Sequence, residues 1–421
     1  MTESLELAGQ PARPQLIRAM NEQLLLNQIR QLGSCSRADL ARLSGLSKPT
    51  VSLALANVER SGLVRAAGQR TGVPGRSAVL YEIRPEAGYV LGLDIGHEFL
   101  RGAIADLAGV IRAKAEVPCS VASVSKRVGQ LVDLADEICA AAGVRRADVT
   151  QTVLGSPGVY DRERGAIALT GGLVGWDKPA VLAGLRAAFG DELVVENDTD
   201  AAALAEREHG HGKDVPSFAF VSIGTGIGMG LVIGGQLHRG THGVAGEIAF
   251  LPITDGPAVA AGTEVRKRGT LEAAGSAAAI VRAARQAGLR VASARAVFAA
   301  AASGDERAIG IVAAEARLVA KAVCAVITVV DPALIVLGGG IGRAPGFAET
   351  VSRELRRLAP AFPEIRVSAL GTSAVVDGCL ASGSELAWRQ LTAQVGPTPG
   401  EVLSIGAAAE VLVASPDGAA R

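Results

Sequence analysis

The chain of 421 residues is too long for one compact core, and 49% hydrophobic residues with 52 glycines and 3% aromatics describe an α/β protein of many tight turns, not a disordered one. Its formal net charge of zero conceals eleven Lys or Arg against four Asp or Glu between Pro11 and Pro85, so a small basic module on a slightly acidic body is expected to hold a polyanion by one end. Five cysteines without a C-x-x-C pair argue against a disulfide framework or thiolate metal site, and the lack of a leader or of an apolar run of the ~18 residues a bilayer needs predicts a cytoplasmic protein with no membrane partner.

The spacing of Met20, Leu24, Leu25, Ile29 and Leu32 predicts a first helix, stopped by Gly33. A second begins after Ser36, whose hydroxyl can cap the free backbone amides, with Asp39 placed as the acid of a capping box and Leu40, Ala41 and Leu43 as the inner face. Gly45 supplies a tight turn. Ser47 then caps a third helix that tolerates Pro49 in its first turn and points Val51, Leu55 and Val58 inward. Lys48, Thr50, Ser52 and the apolar Leu53 are left at the leading end, where a recognition helix meets base edges and thymine methyls. Two β-like runs, 63–66 and 78–83, flank a loop with Arg70, Gly72, Gly75 and Arg76, a wing suited to phosphates or the minor groove. Residues 13–84 therefore read as a winged helix-turn-helix with Ser47, Lys48, Thr50, Ser52, Arg70 and Arg76 as candidate DNA-binding residues. The competing reading is three helices packed for purely structural reasons.

After Gly88 the texture changes. Strands are expected at 89–95, 99–106 and 110–117, a helix near 126–142 and a strand at 150–154. A similar opening recurs at 217–223, with the turn Gly224-Thr225-Gly226-Ile227-Gly228, then 229–233 and 236–239, which points to a duplicated α/β lobe with a cleft between the halves. Such turns let backbone amides approach phosphate oxygens, and Gly338-Gly339-Gly340 after the strand 334–337 adds another glycine-rich strand end, where α/β sheets bind ligands. Turns that merely turn are the alternative.

Taken in order, Asp94-Ile95-Gly96, Gly155-Ser156-Pro157-Gly158, Gly175-Trp176, Glu196-Asn197-Asp198, the 224–228 turn, Arg239-Gly240 running to Ala245-Gly246-Glu247, Leu271-Glu272 and Leu337-Gly338-Gly339-Gly340 form a specific string within residues 15–385. The string resembles the ROK family of repressors, open reading frames and sugar kinases, including its xylose and N-acetylglucosamine repressors. The resemblance implies an actin-like or hexokinase-like two-lobed body over residues 88–415. It also implies a small-molecule effector, a carbohydrate, bound by Asn197, Asp198, Glu247 and Glu272. In the family's kinases the acid matching Asp198 is the general base, and the other three look like ligands whose planar groups pair with vicinal hydroxyls.

Two departures bear on function. The kinases continue their first phosphate loop with glycine and threonine, whereas His97 and Glu98 stand here, costing room and favourable electrostatics at the transferring phosphate. Phosphoryl transfer is therefore expected to be impaired, with no catalytic residue and no cofactor. Many members also hold a structural zinc through one histidine and three cysteines. Phe250, Thr263, Val265 and Thr270 occupy the matching positions, so no metal is expected. His238 and His242 read as solvated loop residues, with replacement ligand donors as the alternative, and His209 and His211 resemble a metal pair only superficially.

These readings converge on a transcriptional regulator, a repressor, that binds a double-stranded DNA operator as a homodimer or higher homo-oligomer, since one module makes too few base contacts. The alternative is an active ATP-dependent sugar kinase carrying a DNA-binding domain. Replacing Lys48 and Arg76 together by alanine is expected to weaken operator binding and to flatten its salt dependence by at most about two phosphate equivalents, checked by titrations at several salt concentrations.

Overall fold

The computed structural model describes residues 14–70, 78–119, 123–161, 164–170, 173, 175–253 and 268–393. It divides into two compact units. One takes the chain up to Tyr89, Asp106–Val110 and the chain from Ser384; the other takes Val90–Ala105 and Ile111–Gly383. The stretch from Ser384 thus groups with the amino-terminal elements, which a division at residues 84 and 88 does not capture.

The first unit contains α1 (Pro14–Leu32), β1 (Ser34–Ser36), α2 (Arg37–Ser44), α3 (Lys48–Arg60), β2 (Val64–Arg70) and β3 (Ala78–Ile83). The capping box forms as expected: the Asp39 amide donates to Ser36 Oγ at 3.2 Å, and the Ser36 amide to Asp39 Oδ2 at 3.1 Å. Gly45 takes the left-handed turn at φ 69°, and Ser47 caps α3. Leu25, Leu26, Ile29, Leu40, Val51, Leu55 and Val58 are fully buried. Leu43, expected on the inner face of α2, is exposed instead, and so are Met20, Leu24 and Leu32 of the spacing that predicts α1. The run Leu24-Leu25-Leu26 offers helical stripes on more than one side, and the packed one passes through Leu25, Leu26 and Ile29. β1, absent from the expectation, pairs antiparallel with β3 to complete a sheet of order β1-β3-β2.

Trp388, of the chain's last described helix, lies in this same core. Its indole N–H donates to Asn27 Oδ1 at 3.2 Å, and Arg30 lies 4.9 Å from its ring centre while pairing with Glu385 at 2.6 Å.

The second unit holds two five-stranded sheets. The first uses β4 (Tyr89–Ile95), β5 (Phe99–Asp106), β6 (Ile111–Pro118), β7 (Val149–Ser156) and β10 (Val194–Asn197); β8 (Val159–Asp161) and β9 (Ala166–Ala168) form a small hairpin. The second sheet uses β11 (Phe218–Ile223), β12 (Ile227–Ile233), β13 (Gln236–Leu237), β14 (Leu334–Gly338) and β15 (Glu364–Val367). Their orders, β6-β5-β4-β7-β10 and β13-β12-β11-β14-β15, are the same pattern: a meander of three strands, then two more added beyond its first strand. Where their registers are defined, the added strands run parallel: β10 with β7, β14 with β11 and β15 with β14. The duplication legible in the sequence is thus a duplication of topology.

The helices are α4 (Val124–Ala142), α5 (Pro179–Phe189), α6 (Asp198–His209), α7 (Thr270–Gly275), α8 (Ala277–Gln286), α9 (Ala294–Ala302), α10 (Glu306–Val330), α11 (Gly339–Gly342), α12 (Phe347–Leu355) and α13 (Ala374–Ala393). Among the described residues no helix is long and apolar enough to cross a membrane. α6 leaves the first sheet at β10 and packs on β11 and β12 of the second. α13 fits against α6 so tightly that a Cβ on Gly378 would lie 1.7 Å from the Ala201 carbonyl oxygen. Gly378→Ala should therefore destabilise the chain by roughly 1–3 kcal/mol or more, read from the urea midpoint at constant slope.

Candidate functional site

A cleft of about 960 Å³ opens between the two sheets of the second unit, and Asn197, Asp198, Glu247 and Glu272 all line it, together with His97, Glu98 and the Gly224–Gly228 turn. The four residues singled out in the sequence as ligand candidates thus share one cleft. What each can do there follows from its partners.

Asn197 ends β10 and caps α6. Its Oδ1 accepts from the amides of Thr199 at 2.9 Å and Asp200 at 3.1 Å and from the Thr199 hydroxyl at 2.6 Å, while its amide donates to the Gly158 carbonyl at 3.1 Å. The expected paired hydrogen bonds to vicinal hydroxyls are therefore not open to it, because its oxygen is consumed by the helix end. A second amide hydrogen remains for a ligand.

Asp198 is the first residue of α6, where the helix dipole favours an anion, and its Oδ1 accepts from the Thr199 amide at 2.8 Å. Burial nevertheless outweighs these donors and raises its pKa. Behind it, Asp200 is buried with Oδ1 unpartnered among the described residues. Its burial and the nearby Glu196 push it up to about 8, against the pull of Arg239, which pairs with Glu196.

Glu247 follows Gly246, whose φ of 93° and missing Cβ let the chain pass the Met229 carbonyl oxygen, which a Cβ would approach to 2.1 Å. Glu272, on α7, accepts the Ile227 amide at 3.1 Å through Oε2, and its other oxygen is buried without a hydrogen-bond partner among the described residues. The glycine turn rests on that carboxylate: a Cβ at Gly226 would meet Glu272 Oε2 at 2.7 Å. The turn's backbone and the acid thus form one unit.

Asp94, at the end of β4, was quoted in the sequence as part of a motif but not as a site residue. It lines the same cleft, 3.4 Å from Arg101, and burial together with the charge of Asp198 pushes it up to about 7. Arg268, Arg295 and Arg343 also line the cleft without having been foreseen. Arg268 immediately precedes the Gly269 to Glu272 stretch and lowers the pKa of Glu272, against the larger effect of burial.

His97 and Glu98 form the tip of the β4–β5 hairpin, closed by the Gly96 amide on the Phe99 carbonyl at 3.0 Å, and both are solvent-exposed where they meet the cleft. Surrounding protein and the positive charges of Arg127 and Arg268 lower the imidazole pKa, so it favours the neutral form. Phe250 lines the cleft and Thr270 donates to the Leu251 carbonyl at 2.7 Å; Thr263 and Val265 lie outside the described residues. Among the described residues no group of three or more metal-ligating side chains gathers. His238 and His242 are exposed and do not line the cleft.

On the first unit, the Ser47 and Thr50 hydroxyls lie 2.8 Å apart and bond each other within the cap of α3. Lys48 and Ser52 are exposed on the same helix. Arg70 ends β2 instead of lying in a loop, and pairs with Asp39 at 3.2 Å. Arg76 lies outside the described residues.

Comparison with known proteins places this architecture. The ROK family model matches residues 90–387, and the chain belongs to the ROK family. Over 71% of its length it is 30% identical to the ROK hexokinase of Thermus thermophilus, covering 99% of that chain at a TM-score of 0.60. A crystal structure of a ROK family transcriptional regulator, a homologue of the Escherichia coli MLC protein, covers 89% of this chain and 99% of its own at a TM-score of 0.71 and 24% identity, a likeness of fold. The xylose repressor of Bacillus subtilis (strain 168) is 26% identical over 249 residues, 58% of this chain; the match spans 64% of that relative, under two thirds of its length.

The acids of the cleft give a pH signature. Burial and the charges of Asp198 and Glu272 raise Glu247 from 4.5 to about 7, so between those values the folded chain binds a proton that the unfolded chain releases. Its contribution to stability is full below pH 4.5 and is lost as pH rises through about 7. Glu247→Gln should flatten that fall and leave the variant more stable than the parent at pH 8 by roughly 1–3 kcal/mol, measured by urea unfolding at pH 5 and pH 8.

Proposed function

We propose that this chain is a DNA-binding transcriptional regulator, a repressor, whose first unit grips an operator and whose ROK cleft holds a carbohydrate or sugar-derived effector. The observation that carries the reading is the compact unit preceding the ROK match. It contains a capped helix, a left-handed glycine turn and a second capped helix, followed by a hairpin, within a stretch of eleven Lys or Arg against four Asp or Glu. That order of elements suits a winged helix-turn-helix, and the named xylose repressor among the relatives supports the same reading. Effector bound between the lobes favours one arrangement of the body over another and so shifts the population competent to hold DNA. Two copies supply the base contacts that one module lacks.

The cleft suits a polyol. Glu272 offers a buried oxygen without a partner among the described residues, Asn197 one amide hydrogen, and Asp198 and Glu247 carboxyl oxygens, so a ligand rich in hydroxyls satisfies several groups at once. At the corner where kinases handle the transferring phosphate, the exposed carboxylate of Glu98 and the bulk of His97 oppose a nucleotide's terminal phosphate.

A second reading, an ATP-dependent sugar kinase with an added DNA-binding unit, draws on Asp198, whose raised pKa at the helix end suits a base, and on the 30% identical hexokinase. Catalysis and sensing separate in a coupled assay with ATP and a panel of hexoses, amino sugars and xylose. We expect no turnover, while at least one sugar raises the melting temperature of the full chain. Turnover above about 1 s⁻¹, the low end of kinase rates, would reverse the ranking.

A further inference from the structure

We propose that Leu53 is a specificity-determining residue of α3, reading the methyl group of a thymine in the major groove; the inference rests on the DNA-binding reading above. Several polar groups of α3 and its cap already bond within the protein, while Lys48 and Ser52 stay exposed. The Ser47 and Thr50 hydroxyls bond each other at 2.8 Å, and Asn57 donates to Glu22 at 2.6 Å while accepting from Arg60 at 3.1 Å. Val51, Ala54, Leu55 and Val58 form the buried side of the helix. The outward side, at helical spacing, is Pro49, Ser52, Leu53 and Ala56, with Leu53 at its centre and 54% exposed.

One exposed leucine is ordinary on a protein surface. This one belongs to a unit whose α2 and α3 also expose the cations Arg42, Lys48 and Arg60, within a stretch carrying eleven basic residues against four acidic. Those charges select a polyanion, and the duplex offers an apolar contact in the thymine C5 methyl, exposed in the major groove. A cytosine at that position presents an amino donor to the isobutyl group instead and leaves it unpaired.

The test uses the full chain. Preferred duplexes are selected from a randomised pool, and each thymine of the selected site is replaced in turn by deoxyuridine, which removes only the methyl group. At one thymine per half-site the replacement should weaken binding about fourfold, the value of one buried methyl group. Leu53→Ser, at an exposed position and so folded with an unchanged melting temperature, should bind the two duplexes alike, whereas Leu53→Met should keep the discrimination. If no replacement costs more than about twofold, or if Leu53→Ser keeps the full penalty, Leu53 does not read a methyl and the assignment falls. Failure to enrich any duplex sinks the DNA-binding reading itself, an outcome distinct from an enriched site indifferent to uracil.

Discussion

The cleft depends on the start of α6. Asn197 ties that helix end to the Gly158 carbonyl of the first lobe while capping it, and the helix then lies against the second lobe's sheet. One carboxamide therefore fixes where the first turn begins, and with it the position of Asp198. Glu247 and Glu272 approach the same point from the other lobe, each held by backbone geometry: one follows a left-handed glycine, the other bonds the amide of Ile227 beneath the glycine turn. Few of these placements depend on side-chain packing.

The electrostatic state of the cleft follows from that convergence. Asp94, Asp198, Glu247 and Glu272 all have raised pKa values, with burial the first cause of each and the charge of neighbouring acids adding to it at Asp94, Glu247 and Glu272. Arg101 and Arg268 relieve the repulsion only at Asp94 and Glu272. Asp94 and Glu247, each pushed up to about 7, can both donate to and accept from neutral hydroxyls, which fully ionised carboxylates cannot.

Much of this was legible in the sequence because caps, turns and glycine-rich strand ends are local signals. Ser36, Asp39, Gly45 and Ser47 specify helix boundaries within a few residues, and the doubled pattern of strands before and after residue 210 announced two lobes. The errors arose where a choice was global. Three consecutive leucines in α1 leave the packed stripe to be decided by β1, α2 and α3, so the spacing picked out Leu24 and passed over the buried Leu26. Residues 34–36 are too few to read as a strand until β3 is present to pair with them. Asn197 was given paired hydrogen bonds to a ligand because composition cannot show that its oxygen is already bonded, and Arg70 was read as a loop residue because its partner Asp39 lies 31 positions earlier in the chain. Arg268, Arg295 and Arg343 belong to no motif in the string and reach the cleft only through folding.

The β4–β5 hairpin tip has a consequence for how such a protein changes over time. His97 and Glu98 contribute nothing to the core, and the turn that carries them is closed by main-chain hydrogen bonds, so the chain folds whichever side chains stand there. A descent that alters this corner leaves the acids of the cleft, the sheet registers and the helix cap intact. Chemical competence and foldability are uncoupled at those two positions, and mutation can explore the first without endangering the second.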